Sequence, residues 1–71
     1  MVQLNGVEYA YRQGMSLKEL LDQYNTEHNN SLVFDGFAVL VNRKALNPIQ
    51  AEERILLDND KIHIIPLLEG G

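Results

Sequence analysis

One apolar stripe at helical spacing limits the folds open to this chain more than any other feature. Its members lie at positions i, i+3, i+4 and i+7, on one face of a helix: Leu17, Leu20, Leu21 and Tyr24. Ser16 and Glu19 have the spacing of a capping box, which predicts a helix that begins at Ser16 and runs for about ten to twelve residues. A helix that binds a partner would show the same stripe. Because the sequence indicates a single such helix, we expect the stripe to pack against a sheet in the core.

The segment before the helix has the pattern of a β-hairpin. Apolar or aromatic residues recur at every second position on both sides of a turn: Val2, Leu4, Val7, Tyr9 and Tyr11. The turn itself is Asn5-Gly6, a pair that tolerates positive φ and predicts a type I′ turn.

The chain after the helix is predicted to form further strands joined by turns. The strands are Phe37–Val41, a short one at 54–57, and a last one at 61–65 that Pro66 ends, because proline has no N–H for the ladder. Turns or polar loops are predicted at 28–31, 42–44 and 58–60, and 45–53 is predicted to be irregular apart from a short helical turn. The order β-β-α-β-(β)-β predicts an α+β domain, with one main helix across one face of a mixed sheet of about four to five strands.

Composition excludes several classes of function. The chain has no cysteine, which excludes a disulfide framework, a thiolate zinc site and a redox pair. Its net charge is -4 and its basic residues are scattered, which argues against nucleic acid as a partner. No apolar run approaches the ~20 residues that cross a bilayer, and the first residues lack the pattern of a secretory signal. We therefore expect no membrane association and a cytoplasmic protein.

Few side chains are suited to catalysis. His28 falls in a predicted loop and His63 in a predicted strand, whose alternation places His63 outward. Asp58-Asn59-Asp60 begins like a calcium loop but lacks the glycine and glutamate that such a loop places later. We expect no metal, no cofactor and no catalytic residue, and therefore a protein that is not itself an enzyme.

The best candidate for a functional site is the pair Gly70-Gly71. It follows the last predicted strand closely, and the residues beyond Pro66 could extend about 16 Å from the domain. Glycine has no Cβ, so such a tip can enter a narrow cleft. A frayed end or a cloning remnant would have the same sequence. On the functional interpretation, 1–66 form the domain and 67–71 a flexible tail whose carboxylate another enzyme can activate.

The sequence as a whole resembles the sulfur-carrier family of ubiquitin-like β-grasp proteins, which includes the thiamin-thiazole sulfur carriers and the small subunits of molybdopterin synthase. The order and spacing of five segments carry this resemblance: Asn5-Gly6, Gly14-Met15-Ser16-Leu17 with Glu19-Leu20-Leu21, Ala38-Val39-Leu40-Val41-Asn42, Leu57-Asp58-Asn59-Asp60-Lys61-Ile62 and Gly70-Gly71. The short chain is more similar to the thiazole branch.

The resemblance implies a ubiquitin-like β-grasp fold and a carrier function. An ATP-dependent, E1-like adenylating enzyme would join Gly71 to AMP, and a sulfur donor such as a cysteine desulfurase would supply the sulfur that converts Gly71 to a thiocarboxylate. A synthase would then accept this sulfur, either thiazole synthase or the large subunit of molybdopterin synthase. Gly70 would keep the tip slim. Leu67 and Leu68 would assist recognition by the partner, with packing in the core as the alternative for each.

Three other functions remain open at this point. The chain could be the sulfur-donating small subunit in molybdopterin or tungstopterin synthesis. It could also be a ubiquitin-like modifier whose Gly71 forms isopeptide bonds with lysines, or an interaction module in which Gly70-Gly71 has no role.

Overall fold

A computed structural model describes residues 1–67 of the protein. In chain order the elements are β1 (Val2–Leu4), β2 (Val7–Tyr9), α1 (Leu17–His28), β3 (Phe37–Val41), β4 (Lys44–Leu46), α2 (Pro48–Glu53) and β5 (Lys61–Pro66). The five strands form one sheet in the order β2-β1-β5-β3-β4, in which β1 and β5 are parallel and the other neighbours antiparallel. This mixed sheet with one main helix is the α+β, ubiquitin-like β-grasp fold that the sequence predicted.

Helix α1 begins where it was predicted to begin and extends slightly further than its predicted boundary. The Ser16 hydroxyl accepts a hydrogen bond from the Glu19 N–H at 3.1 Å and so caps the N-terminus. The return bond of a full capping box, from the Ser16 N–H to the Glu19 side chain, is absent from the part of the chain described here. The predicted loop at 28–31 is wrong at His28, which completes the last helical turn. Asn29 follows with a φ of 53° and forms a left-handed C-cap.

The core lies between α1 and the sheet. Its largest fully buried side chains come from the helix, the sheet and the segment 54–57: Val2, Leu4, Leu17, Leu20, Val39, Leu56, Ile62 and Ile64. Tyr24, the last member of the stripe, packs partly buried at the edge of this core. Because complete burial of an aliphatic side chain contributes about 1.5 to 3 kcal/mol, the stripe is a main source of stability. Its interpretation as core is confirmed.

A hydrogen bond also joins β2 to α1. The Tyr9 hydroxyl donates to Glu27 Oε1 at 2.9 Å. Burial, together with this bond and the negative charge of Glu27, raises the pKa of Tyr9 to about 12. The phenol therefore keeps its proton, and with it the bond, throughout the neutral range.

Both hairpins turn through two residues with positive φ. In the first, Asn5 and Gly6 have φ values of 49° and 84°, as the predicted type I′ turn requires. In the second, which joins β3 to β4, Asn42 and Arg43 have φ values of 51° and 71°. The predicted turn at 42–44 is wrong at Lys44, which already pairs with Val41 as the first residue of β4.

The segment 45–53 is more regular than predicted. It contains the rest of β4 and the short helix α2, which begins at Pro48 after a capping box. In this box Asn47 Oδ1 accepts from the Gln50 N–H at 2.8 Å, and Gln50 Oε1 accepts from the Asn47 N–H at 3.0 Å. Elements of three and six residues are too short to show a full period in the sequence.

The predicted strand at 54–57 is wrong. This segment makes a single antiparallel bridge, between Ser16 and Ile55. Its backbone bonds go to the start of α1, from the Leu17 N–H to the Arg54 carbonyl at 3.0 Å and from the Leu56 N–H to the Met15 carbonyl at 2.9 Å. It therefore fastens the helix to the domain and does not extend the sheet.

Strand β5 was predicted to stop at residue 65, before Pro66. Instead Pro66 is the last residue of the strand and lies opposite Phe37 of β3. Even-numbered residues of β5 direct their backbone groups toward β1, as the bonds at Ile62 and Ile64 show. Strand β1 has ended at Leu4 before it reaches the level of Pro66. The missing N–H therefore costs no ladder bond, and proline is tolerated.

Candidate functional site

Strand β5 leads directly into the predicted tail. It pairs with β3 from Val41↔Ile62 to Phe37↔Pro66, and the Leu67 N–H then donates to the Gly36 carbonyl at 3.4 Å. Of the predicted site residues, Leu67 lies in the described part of the chain and its side chain is 59% exposed. Leu68, Gly70 and Gly71 lie outside the described residues, so their roles, and the boundary between domain and tail, stay predictions.

The Asn5 side chain holds β5 on the edge opposite to β3. Its Oδ1 accepts from the Ile64 N–H at 2.9 Å, and its Nδ2 donates to the Ile64 carbonyl at 3.1 Å. The Asn5 N–H also donates to the Ile62 carbonyl at 2.9 Å. The amide thus extends the parallel β1–β5 pairing by one step and fixes the strand shortly before the tail.

The loop 34–36 supports the other edge of the chain three residues further along, at Leu67. Phe34 is buried, and its carbonyl accepts from the Phe37 N–H at 3.2 Å. Gly36 has a φ of 79°, a conformation in which a side chain would be strained. This turn presents the Gly36 carbonyl to the Leu67 N–H, which extends the hydrogen bonding on the β3 edge one residue beyond Pro66.

A buried carboxylate joins the elements at the opposite end of β5. Asp60 is only 3% exposed. Its Oδ1 accepts from Asn42 Nδ2 at 2.8 Å, and its Oδ2 accepts from the Leu57 N–H at 2.8 Å and from Arg54 Nη2 at 3.1 Å. Burial raises the pKa of Asp60, but the three hydrogen bonds and the Arg54 charge together outweigh it and hold the pKa below its ordinary value. Asp60 is therefore an ionised structural group.

The sheet face away from α1, which we call the open face, carries an apolar strip made of Ala38, Leu40 and Ile65. Ala38 and Leu40 of β3 lie opposite Ile65 and His63 of β5. Ile65 is 49% exposed, and Leu67 follows it two residues later. Because alternate residues of β5 face this side, the strip continues along the strand toward the tail.

Neither histidine lies in an arrangement suited to catalysis. His63 is exposed on the open face, as its alternation predicted, and the His28 ring lies against Tyr24 with centroids 4.4 Å apart. Within residues 1–67, no three His, Cys, Asp or Glu side chains come together in a way that could hold a metal ion. The same residues include no helix with the length and apolar character needed to cross a membrane.

Comparison with known proteins assigns the chain to a family. The model of the ThiS family matches residues 2–71, a range that includes both Gly70 and Gly71. The chain belongs to the ThiS family. It is 35% identical over 71 residues to a protein of Thermus thermophilus named sulfur carrier protein ThiS, and the match covers 100% of both chains. Membership in the ThiS family confirms the resemblance drawn from the five sequence segments.

Sequence reasoning missed two side chains that support β5, Asn5 shortly before the tail and Asp60 at the opposite end of the strand. The sequence predicts a turn at Asn5 from its tolerance of positive φ. It does not indicate that the side-chain amide also forms hydrogen bonds with the backbone of Ile64. Asp60 was assigned to a polar turn, where most carboxylates are exposed. A signal was present at Asp60, since it directly precedes an alternating strand, but the sequence alone does not show which turn residue lies inward.

Proposed function

We propose that this ThiS-family protein is a sulfur carrier for the formation of the thiazole of thiamin, with Gly71 as the site that holds the sulfur. The observation that carries this proposal is the family match, which extends to residue 71. The full-length relative that is named a sulfur carrier protein supports it. The carrier is not an enzyme in this proposal, because the chemistry takes place in its partners.

The carboxylate of Gly71 requires activation before it can accept sulfur. Its negative charge repels nucleophiles, and oxide is a poor leaving group. An E1-like adenylating enzyme would let this carboxylate attack the α-phosphorus of ATP, which releases pyrophosphate and leaves an acyl adenylate. A sulfur nucleophile from a donor such as a cysteine desulfurase would then displace AMP. If the nucleophile is a persulfide, a thiol must reduce the resulting acyl disulfide to leave the thiocarboxylate.

The described structure supports a division between scaffold and arm. The core, the Asn5 amide and the loop 34–36 hold β5 in place as far as Leu67, the last residue that the structure describes. Gly70 would give the tip a slim approach to a partner's cleft. Leu67, exposed beside the apolar strip, and Leu68 would contact the partner next to the tip. Residues 67–71 would then act as the arm and 1–66 as the scaffold.

The proposed partners are the adenylating enzyme, the sulfur donor and a synthase that accepts the sulfur, here thiazole synthase. We propose the cytoplasm as the compartment in which the carrier meets ATP and these enzymes. The large subunit of molybdopterin synthase is the alternative acceptor, and transfer assays with each synthase decide between them.

Intact-mass spectrometry tests the carrier function. The purified protein is incubated with an E1-like adenylating enzyme of a thiamin pathway, ATP, a cysteine desulfurase and cysteine. We expect a mass gain that equals the exchange of one oxygen for sulfur, and no gain without ATP. Adenylation followed by conjugates to lysine, with no sulfur product, would instead identify a protein modifier.

A further inference from the structure

Three basic side chains meet at one corner of the open sheet face. Arg43 from the β3–β4 turn, with Lys61 and His63 from β5, lines a depression of about 590 Å³. We call these three residues the basic corner. The other lining groups are the amide side chains of Gln3, Asn42 and Asn59, so no carboxylate lines the depression.

The basic corner contrasts with the charge of the rest of the chain. The net charge is -4, and two other cations are neutralised locally, Lys18 by Glu52 and Arg54 by Asp60, each at 3.1 Å. Among residues 1–67, the side chains of the basic corner form no ion pair or hydrogen bond. The corner therefore offers positive charge that the described scaffold does not use.

Arg43 occupies a backbone conformation that disfavours it. With a φ of 71° it holds the second turn position of a two-residue hairpin, where glycine is strongly preferred. A side chain at this φ carries a steric cost, and no bond of the Arg43 side chain within the described residues offsets it. Because no contact within the described residues compensates this steric cost, Arg43 is a candidate for a role in binding a partner.

The basic corner lies at the far end of β5 from the tail. From Lys61 to Pro66 the strand advances about 16 Å. His63 lies on the open face between Lys61 and the apolar strip, so one continuous surface leads from the basic corner to Leu67. A partner that holds the tail and covers this surface would reach the corner.

We propose that the basic corner docks against a carboxylate-rich surface of the adenylating partner, as a second point of recognition at the other end of β5 from Pro66. This inference rests on the proposed function for the identity of the partner. A nucleic acid fits less well, because the chain's net negative charge repels a polyanion and no Phe, Tyr or Trp lines the depression. A free phosphate fits less well too, because the depression is open and its cations are exposed.

Two neighbouring charge reversals test the proposal. Arg43→Glu changes the corner, whereas Lys44→Glu makes the same change of net charge at an exposed residue of β4 that does not line the depression. In ATP–pyrophosphate exchange with the adenylating enzyme, we expect Arg43→Glu to raise the KM for the carrier about five-fold, with kcat unchanged. The effect should shrink at high salt, and Lys44→Glu should leave KM near the wild-type value. Equal KM values for the two variants would overturn the proposal.

Arg43→Gly separates binding from folding. It relieves the strained φ, so the melting temperature should rise, yet it removes a docking charge, so KM should also rise. A purely structural role for Arg43 would not produce this combination. A raised melting temperature with an unchanged KM would contradict the docking proposal.

The proposed function can fail independently of the basic corner. If the wild-type protein supports no exchange, the carrier proposal fails, and NMR titration of the ¹⁵N-labelled protein tests the corner with a short polyglutamate peptide. Saturable, salt-sensitive shifts at Arg43, Lys61 and His63 would support docking of an acidic protein surface. The absence of such shifts, or equal shifts with inorganic phosphate or a single-stranded oligonucleotide, would overturn it.

Discussion

At the scale of single residues, three asparagines bind backbone groups that no neighbouring strand reaches. Asn5 binds both backbone groups of Ile64, and Asn25 binds both groups of Leu32, at 2.8 and 3.0 Å. Asn42 accepts from the Lys61 N–H at 3.0 Å while it donates to Asp60. An amide carries both a donor and an acceptor, so one side chain can replace a strand partner.

Asn5→Gly isolates the side-chain contribution from the turn contribution. Glycine suits positive φ at least as well as asparagine, so the hairpin turn itself should lose nothing. The Ile64 N–H and carbonyl would lose their partners, and Ile64 is only 1% exposed. We expect the free energy of unfolding, measured with urea, to fall by about 1 to 3 kcal/mol. An unchanged value would mean that Asn5 serves the turn alone.

Asp60→Asn tests the buried carboxylate. It removes the charge that pairs with Arg54 and replaces a carboxylate that accepts three hydrogen bonds with an amide whose NH2 group cannot accept one. The change should cost about 1 to 3 kcal/mol at neutral pH. Because the pKa of Asp60 is lowered in the folded protein, its stabilisation is present above the unfolded pKa of about 4 and is lost as pH falls through the folded value. The difference between wild type and variant in urea unfolding should therefore shrink in acid. A difference that does not change with pH would exclude an ionised Asp60 as its source.

At the scale of secondary-structure elements, α1 stabilises the fold through one face. Leu20→Ala removes a side chain that is 1% exposed, so we expect a loss of about 2 to 5 kcal/mol in urea unfolding. Asp22→Ala is a matched control on the exposed face of the same helix and should change stability little. Similar losses for the two variants would contradict the assignment of the stripe to the core.

The elements predicted well from the sequence were those with a full period or a specific turn. The apolar stripe of α1 spans two helical turns, and the pair Asn5-Gly6 is typical of a type I′ turn. Strand β4 was missed because it is too short to show a period, and helix α2 was predicted only as a short helical turn within 45–53. The prediction of a strand at 54–57 is wrong because the partner of this segment is the start of α1. The sheet order was not predicted, since no local pattern reports that β5 lies between β1 and β3. The contacts of Asn5 and Asp60 were missed for the same reason, because their partners are distant in sequence or hidden in a turn.

At the scale of the whole molecule, the proposed function requires a scaffold, 1–66, that folds independently of an arm, 67–71. Deleting Gly71 should leave urea unfolding within about 0.5 kcal/mol of wild type, as for a change away from packed or bonded groups. The same deletion should abolish the gain of sulfur. A deletion that unfolds the domain would contradict the division.

The most direct test of the central claim is to locate the sulfur after loading. Trypsin cleavage after Lys61 releases a peptide that begins at Ile62 and ends at Gly71, and tandem mass spectrometry of this peptide assigns the exchanged atom to a residue. We expect one oxygen-to-sulfur exchange on Gly71, present only when ATP was supplied. Sulfur at any other residue, or a peptide that stays unmodified while the adenylating enzyme consumes ATP with this protein, would contradict it.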